Sequence, residues 1–198
     1  MTDRASTVTG EDGRSRCGWA TRDAEYERYH DEEWGVPLHG DQPLFEKLSL
    51  EAFQAGLSWI TILKRRPAFR EVFHGFDIAS VARFGEDDVE ALMTDPRIIR
   101  NRAKILATIS NARITLDLTA GHPSALDELM WGFAPPPRAR RLGSLAEVPA
   151  VTTESTALSA VLRARGYRFV GPTTMYALMQ SSGMVDDHVE GCWRATGD

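Results

Sequence analysis

The sequence predicts an all-α fold, on three observations. Apolar residues recur at helical spacing, most plainly in Ile105, Ile109, Ala112 and Leu116 at i, i+4, i+7 and i+11. β-Branched residues rarely alternate with polar ones over a useful length, so strand signals are weak. Proline and glycine stand between the periodic segments and leave only short connections. A chain of 198 residues, 42% hydrophobic and 26% charged, suits one domain of an ordinary soluble protein with a substantial core.

Residues 1–15 are polar and rich in Ser, Thr, Gly and charge, and read as a disordered tail. They lack the apolar region of a secretory signal, and no apolar run approaches the ~20 residues of a membrane span. A cytoplasmic protein with no membrane partner is expected. Asp23 is placed to cap a short helix reaching His30. Trp34–Gly35–Val36–Pro37 reads as a turn, and Gln42 to Ala55 as a helix with Pro43 in its first turn. Thr61 to Arg65 continues helically to Pro67, Ala68 to Phe73 adds a turn or two, and Asp77 caps Ile78 to Phe84. Glu86 to Met93 is a short helix with Val89, Leu92 and Met93 inward, and Arg100 to Leu118 is the longest helix. Pro123 to Phe133 follows, then an extended Pro135–Pro136–Pro137. Thr153 to Arg165 turns Leu158, Val161 and Leu162 inward. After Gly166–Gly171 the last helix opens at Pro172 and stops near Gly183.

The net charge of −5 does not by itself suggest a nucleic-acid partner. All of it belongs to the first 50 residues, which hold 6 Lys/Arg against 11 Asp/Glu. Elsewhere the positive charges come in runs: Lys64–Arg66; Arg97, Arg100, Arg102 and Lys104; Arg138, Arg140 and Arg141; Arg163, Arg165 and Arg168. Such runs neutralise phosphates in some proteins and are solvated helix faces in others.

Three constellations stand out. In Leu50–Ile60, Glu51 sits inside the apolar periodicity, Gly56 breaks the helix and Trp59 follows two turns after Glu51. A carboxylate and a large aromatic about a bend suit a pocket for a flat, electron-poor or cationic ligand; a surface Glu, a Gly cap and a core Trp give the same pattern. The second is a helix, hairpin, helix over residues 153–182. The amides at the start of its second helix, with Thr173, Thr174 and nearby arginines, suit a phosphate backbone, and an ordinary αα-hairpin fits equally. The third uses both cysteines. Cys17, His30, His188 and Cys192 are ligand types that zinc prefers, with His188 and Cys192 one helical turn apart. Asp31 or Asp187 stands beside a histidine to orient it. Four protein ligands leave no open position, so such a zinc is structural; a disulfide or two buried thiols are the alternatives.

CGW at Cys17–Trp19, YHDEEWGVP at Tyr29–Pro37, LEAFQAGLSWITIL at Leu50–Leu63, IIRNRAKI at Ile98–Ile105 and GYRFVGPTTMYALMQSSGMVDDHVEGC at Gly166–Cys192 closely resemble the 3-methyladenine DNA glycosylase I family. These are constitutive bacterial enzymes of the helix-hairpin-helix DNA glycosylase superfamily. The resemblance covers residues 16–194, with 195–198 a short tail. It implies one helical glycosylase domain in which residues 16–40 and 184–194 form a zinc-binding lobe. It implies one structural zinc on Cys17, His30, His188 and Cys192, a base-recognition carboxylate at Glu51, and base-binding aromatics at Trp19, Tyr26, Tyr29 and Trp59. Gly56 and Leu57 would fill the gap left by the extruded nucleotide, and Gly166–Thr174, with Arg168, Gly171, Thr173 and Thr174, would grip the DNA. The implied reaction is release of 3-methyladenine from alkylated duplex DNA by a monomer. Ala52–Phe53 departs from the family's Gly-Gln and leaves open what Phe53 does. A zinc-stabilised module that binds alkylated DNA without excision is the alternative. A zinc hydrolase with Glu51 as base conflicts with four occupied ligand positions.

Overall fold

The computed structural model describes residues 6–21 and 23–195. Ten helices follow a small β-ribbon among these residues: α1 (Ala24–Glu32), α2 (Asp41–Gln54), α3 (Trp59–Leu63), α4 (Arg66–Val72), α5 (Ile78–Ala82), α6 (Glu86–Thr94), α7 (Arg102–Thr119), α8 (Ala125–Trp131), α9 (Thr153–Ala164) and α10 (Pro172–Ser181). Short 3-10 turns occupy His74–Phe76 and Leu145–Glu147. The expected caps are present. Asp23 accepts from the backbone amides of Glu25 and Tyr26, and Asp77 from that of Ser80. Asn101 starts α7 by accepting from the amide of Lys104.

The fold is mostly helical rather than all-α. Strands β1 (Thr7–Thr9) and β2 (Ser15–Cys17) pair antiparallel, with Thr7 opposite Cys17. Part of the expected tail is therefore ordered; residues 1–5 and 196–198 lie outside the described residues. Three-residue strands are too short for alternation to show in a sequence. The ribbon is fastened to α1 by Arg16, which is buried and donates to Asp12 (Nη1–Oδ1, 2.9 Å) and Asp31 (Nε–Oδ1, 2.9 Å).

Helix α2 runs through the core, with Leu44, Phe45, Leu48 and Phe53 wholly buried. The structure answers the question left by Phe53. Its ring lies 4.7 Å from that of Phe69, which starts a ladder through Phe73 and Phe76. Phe53 packs the core between α2 and α4 and does not line the site below.

Helix α7 departs from its apolar reading. Ile105, Ile109 and Ala112 are buried as expected, but Leu116 is 41% exposed. Val161 and Met93, also expected inward, are half-buried. Beside α7's apolar residues runs a buried polar stripe, Lys104, Thr108, Asn111 and Thr115, which has the same i, i+4, i+7, i+11 spacing. Lys104 Nζ donates to the carbonyls of Phe53 (2.8 Å) and Ala55 (2.6 Å), satisfying the end of α2. Asn111 donates from Nδ2 to the Arg168 carbonyl (3.1 Å) and accepts from the Arg168 amide (2.9 Å). Thr115 bonds the Tyr167 hydroxyl at 2.9 Å. Lys104→Met should lower stability by about 1–3 kcal/mol, because it strands two carbonyls at the end of α2. Urea denaturation measures this, and an unchanged midpoint would show that the ammonium is dispensable.

Candidate active site

Glu51 projects from the third turn of α2 and is 3% exposed. Its Oε1 accepts from the Ser181 hydroxyl of α10 at 2.9 Å, whereas its Oε2 is buried and makes no hydrogen bond among the described residues. Burial pushes the carboxyl up to about 7, against the opposing pull of the Lys47 ammonium and the Ser181 hydroxyl. Lys47 lies one helical turn before Glu51, and burial in turn pushes its ammonium down. Its Nζ stands 5.2 Å from the centre of the Tyr29 ring and 5.7 Å from that of Trp59.

Glu51 lines a cavity of about 410 Å³, a usual size for a small-molecule site. The four aromatics picked out in the sequence, Trp19, Tyr26, Tyr29 and Trp59, all line it. Their rings meet in series: Trp19 to Tyr26 at 5.1 Å, Trp19 to Tyr29 at 6.4 Å and Tyr29 to Trp59 at 5.5 Å. The Trp59 indole N–H is likewise buried without a protein acceptor. The cavity therefore has aromatic walls and one carboxylate, and two polar atoms of its lining residues are buried without a partner among the described residues.

The α2–α3 turn, residues 55–58, leaves the pocket for the surface. Gly56 has φ +84° with open space around it, and Leu57 is 41% exposed. At the hairpin between α9 and α10, Arg168 and Thr173 are exposed and Gly171 and Thr174 half-buried. The hairpin residues do not line the cavity; they belong to a separate surface.

Cys17, His30 and Cys192 present ligand atoms within 4.8 Å of one another, a set that could hold a metal ion. No disulfide joins the two cysteines, both of which are buried. His188 lies outside that limit but beside it, its ring 5.0 Å from that of His30 and its Nε2 buried without a partner. Each imidazole is oriented through Nδ1, His30 by Asp31 (2.9 Å) and His188 by Asp186 (2.8 Å), and the His30 Nε2 lies 3.4 Å from Cys192 Sγ. The expected role of Asp187 beside His188 is thus corrected: Asp186 holds the imidazole. Asp187 instead accepts from Tyr176 (2.5 Å), Gln180 (2.9 Å) and Arg138 (2.9 Å) at the cavity wall. The one-turn helical spacing of His188 and Cys192 is corrected too. The segment is irregular, and a turn closed by the Cys192 amide on the Val189 carbonyl brings Cys192 round.

The sequence matches the methyladenine glycosylase family over residues 19–195. The chain belongs to this family. It is 47% identical over 178 residues to DNA-3-methyladenine glycosylase 1 of Escherichia coli K12, covering 89% of this chain and 95% of that protein. Its structure resembles a crystal structure of 3-methyladenine DNA glycosylase I with a TM-score of 0.87 at 44% identity, over 90% of this chain and 98% of that one. A Tyr-to-Phe variant of 3-methyladenine DNA glycosylase I in complex with 3-methyladenine matches with a TM-score of 0.82 at 32% identity, over 88% and 94% of the two chains.

In this family member, sequence reasoning overlooked several cavity residues. Trp34, Gln54, Ser181 and Asp187 line the cavity. Trp34 resembles a core aromatic in the sequence, and Ser181 lies 130 residues from the carboxylate it touches, so no local pattern marks either. The buried carboxyl makes stability depend on pH. Because its pKa rises from 4.5 to about 7 on folding, the folded chain keeps a proton that the unfolded chain releases between those values. The stability linked to that proton is present below this window and lost as pH rises through it. Glu51→Gln lacks the group and should gain on the wild type from pH 4.5 to 7, by on the order of 3 kcal/mol in all. Denaturation across that range measures the gain; a constant difference would contradict a carboxyl shifted by burial.

Proposed function

We propose that this chain is a DNA-3-methyladenine glycosylase, which hydrolyses the N-glycosidic bond of 3-methyladenine in alkylated duplex DNA and leaves an abasic site. The observation that carries the reading is the cavity: aromatic residues and one buried carboxylate line it, and a Glu51 oxygen and the Trp59 indole N–H lack partners among the described residues. The relatives support it, since proteins so named cover almost the same length of chain.

Methylation at N3 gives the base a positive charge while it remains attached to deoxyribose. Breaking the bond then releases a neutral base, so no strong general acid is needed. The enzyme must extrude the nucleotide, hold the base and tolerate positive charge building on the sugar. Glu51 Oε2 accepts from the base's amino edge, while Trp19, Tyr26, Tyr29 and Trp59 give it faces to stack on. A cationic base also opposes the burial that keeps Glu51 protonated, so base and carboxylate favour each other's charge. Gly56 and Leu57, at the exposed turn just beyond the cavity, enter the space vacated in the duplex. The helix-hairpin-helix of α9 and α10 grips the backbone through Arg168, Thr173, Thr174 and the amides after Gly171.

Cys17, His30, His188 and Cys192 suit one structural zinc. Two thiols and two aspartate-oriented imidazoles match its donor preference, and the unpartnered His188 Nε2 is the atom a metal would satisfy. The ion would supply a cross-link between the two ends of the chain, with no open position for substrate.

Free 3-methyladenine released from methylated duplex DNA is the direct readout. Wild-type protein should release it and Glu51→Gln should do so roughly 10²-fold more slowly. Wild-type protein that binds this DNA yet frees no base is a binding module and not a glycosylase. One zinc per chain should be found by elemental analysis. Cys192→Ser should lose it with a fall in Tm, and a zinc-free wild type of unchanged Tm would remove the metal from the account.

A further inference from the structure

Lys47 is a buried charge beside the pocket that the proposed reaction does not use. It stands four residues before Glu51 on α2, so the two side chains share one face of the helix, a turn apart. It is 7% exposed, and lysines are seldom so buried unless a partner compensates the charge. Among the described residues no hydrogen bond or ion pair reaches its Nζ, which lies instead over the rings of Tyr29 and Trp59. A methionine of similar length would fill the same space without the cost of dehydrating a cation.

The surrounding charges leave one carboxylate for this ammonium to act on. Glu33 is held by Arg66 (2.8 Å) and Glu46 by Arg70 (2.8 Å). Asp187, on the same cavity, is paired with Arg138, and Lys104 of α7 donates to the carbonyls at the end of α2. Burial pushes the Tyr29 hydroxyl well up, so it stays neutral; Tyr26 lines the cavity beside it. Glu51 alone in this group has no cation in contact, and one of its oxygens has no partner. Among the described residues Lys47 is the sole charge that acts on it. It acts without reaching the ligand space, because Lys47 does not line the cavity, whereas Glu51 and the two rings under the ammonium do.

We propose that Lys47 is a positioning residue for base recognition that works through Glu51: its ammonium keeps the neighbouring side chain a carboxylate while the pocket is empty, ready to accept from the base. This rests on the glycosylase reading above. The sign follows from the opposing effects on Glu51. Burial favours the protonated acid and the ammonium favours the carboxylate, so without Lys47 the proton is held to a pH above the wild-type value of about 7. A site that needs the carboxylate then fails at a higher pH on the acid side.

Lys47→Met tests this, with Lys47→Arg to keep the charge. The midpoint of Glu51 can be read by NMR in protein carrying carbon-13-labelled glutamate, its resonance assigned by its loss in Glu51→Gln. It should rise by about one pH unit in Lys47→Met and hold the wild-type value in Lys47→Arg. The methylated base in DNA carries a fixed charge, so the pH dependence of kcat/KM for base release titrates the protein alone. Its acid limb should move up by the same amount, a roughly tenfold loss at about pH 6, with the rates converging above the limb. The Tm should not fall, because the change removes a dehydrated cation. If Lys47→Met does not fold, Lys47→Gln carries the same two readings. An unmoved Glu51 midpoint overturns the proposal; a lysine that has already lost its proton, or one that only fills space, would give that result. A midpoint that moves while the acid limb stays also overturns it, since recognition then does not depend on this carboxylate. A wild type that releases no base sinks the glycosylase reading alone, because the midpoints still decide whether Lys47 holds Glu51 charged.

Discussion

Glu51 is a carboxylate withdrawn from water with one hydroxyl to meet it, and the site is arranged around the cost of that withdrawal. Lys47 offsets some of it from one turn away, but the ammonium is itself buried behind Tyr29 and Trp59 and is pushed toward neutrality. The remaining deficit is what a cationic ligand would supply. For the proposed reaction this gives discrimination a physical basis. A neutral adenine leaves the buried carboxyl to keep its proton, whereas an alkylated base carries the charge that makes the carboxylate form favourable.

A pocket of this kind must be held rigidly by parts of the chain that are far apart in sequence. Glu51 comes from α2, Ser181 from α10, and Trp19, Tyr26 and Tyr29 from the N-terminal segment around α1. That segment is fixed to the last part of the chain by two close approaches. A Cβ on Gly35 would lie 2.7 Å from the His188 imidazole, and one on Gly183 would lie 2.5 Å from the backbone of Val36 and Pro37. The Cys–His cluster stands at the same junction, with Trp34 packed 4.6 Å from the His188 ring and 5.0 Å from Trp19. The cluster and the aromatic wall are therefore packed side by side through Trp34.

Much of this was legible in the sequence. Asp23, Asp77 and Pro172 mark helix starts because capping and proline geometry are local. Both cysteines and both histidines could be grouped because few other residues offer soft ligands. The polar stripe of α7 was not legible. Lys104 and Asn111 read as ordinary polar positions, and Leu116 as core, because side-chain spacing does not say which face meets backbone carbonyls that need a donor. Phe53 was ambiguous for a similar reason: it adjoins a pocket residue, yet its side chain points into a different layer.

The sequence by itself determined that helices dominate the fold, the helix boundaries to within a few residues, and the residue types available for a carboxylate-and-aromatic pocket and for a metal. Each follows from local propensity or from the chemistry of single side chains. Only the tertiary structure decided that Glu51 is dehydrated, that Ser181 occupies one of its oxygens and leaves the other free, and that Asp186 rather than Asp187 orients His188. Only it decided that Leu116, on the apolar spacing of α7, faces water. Dehydration and hydrogen-bond partnership depend on which distant groups surround an atom, and that neighbourhood exists only once the chain has folded.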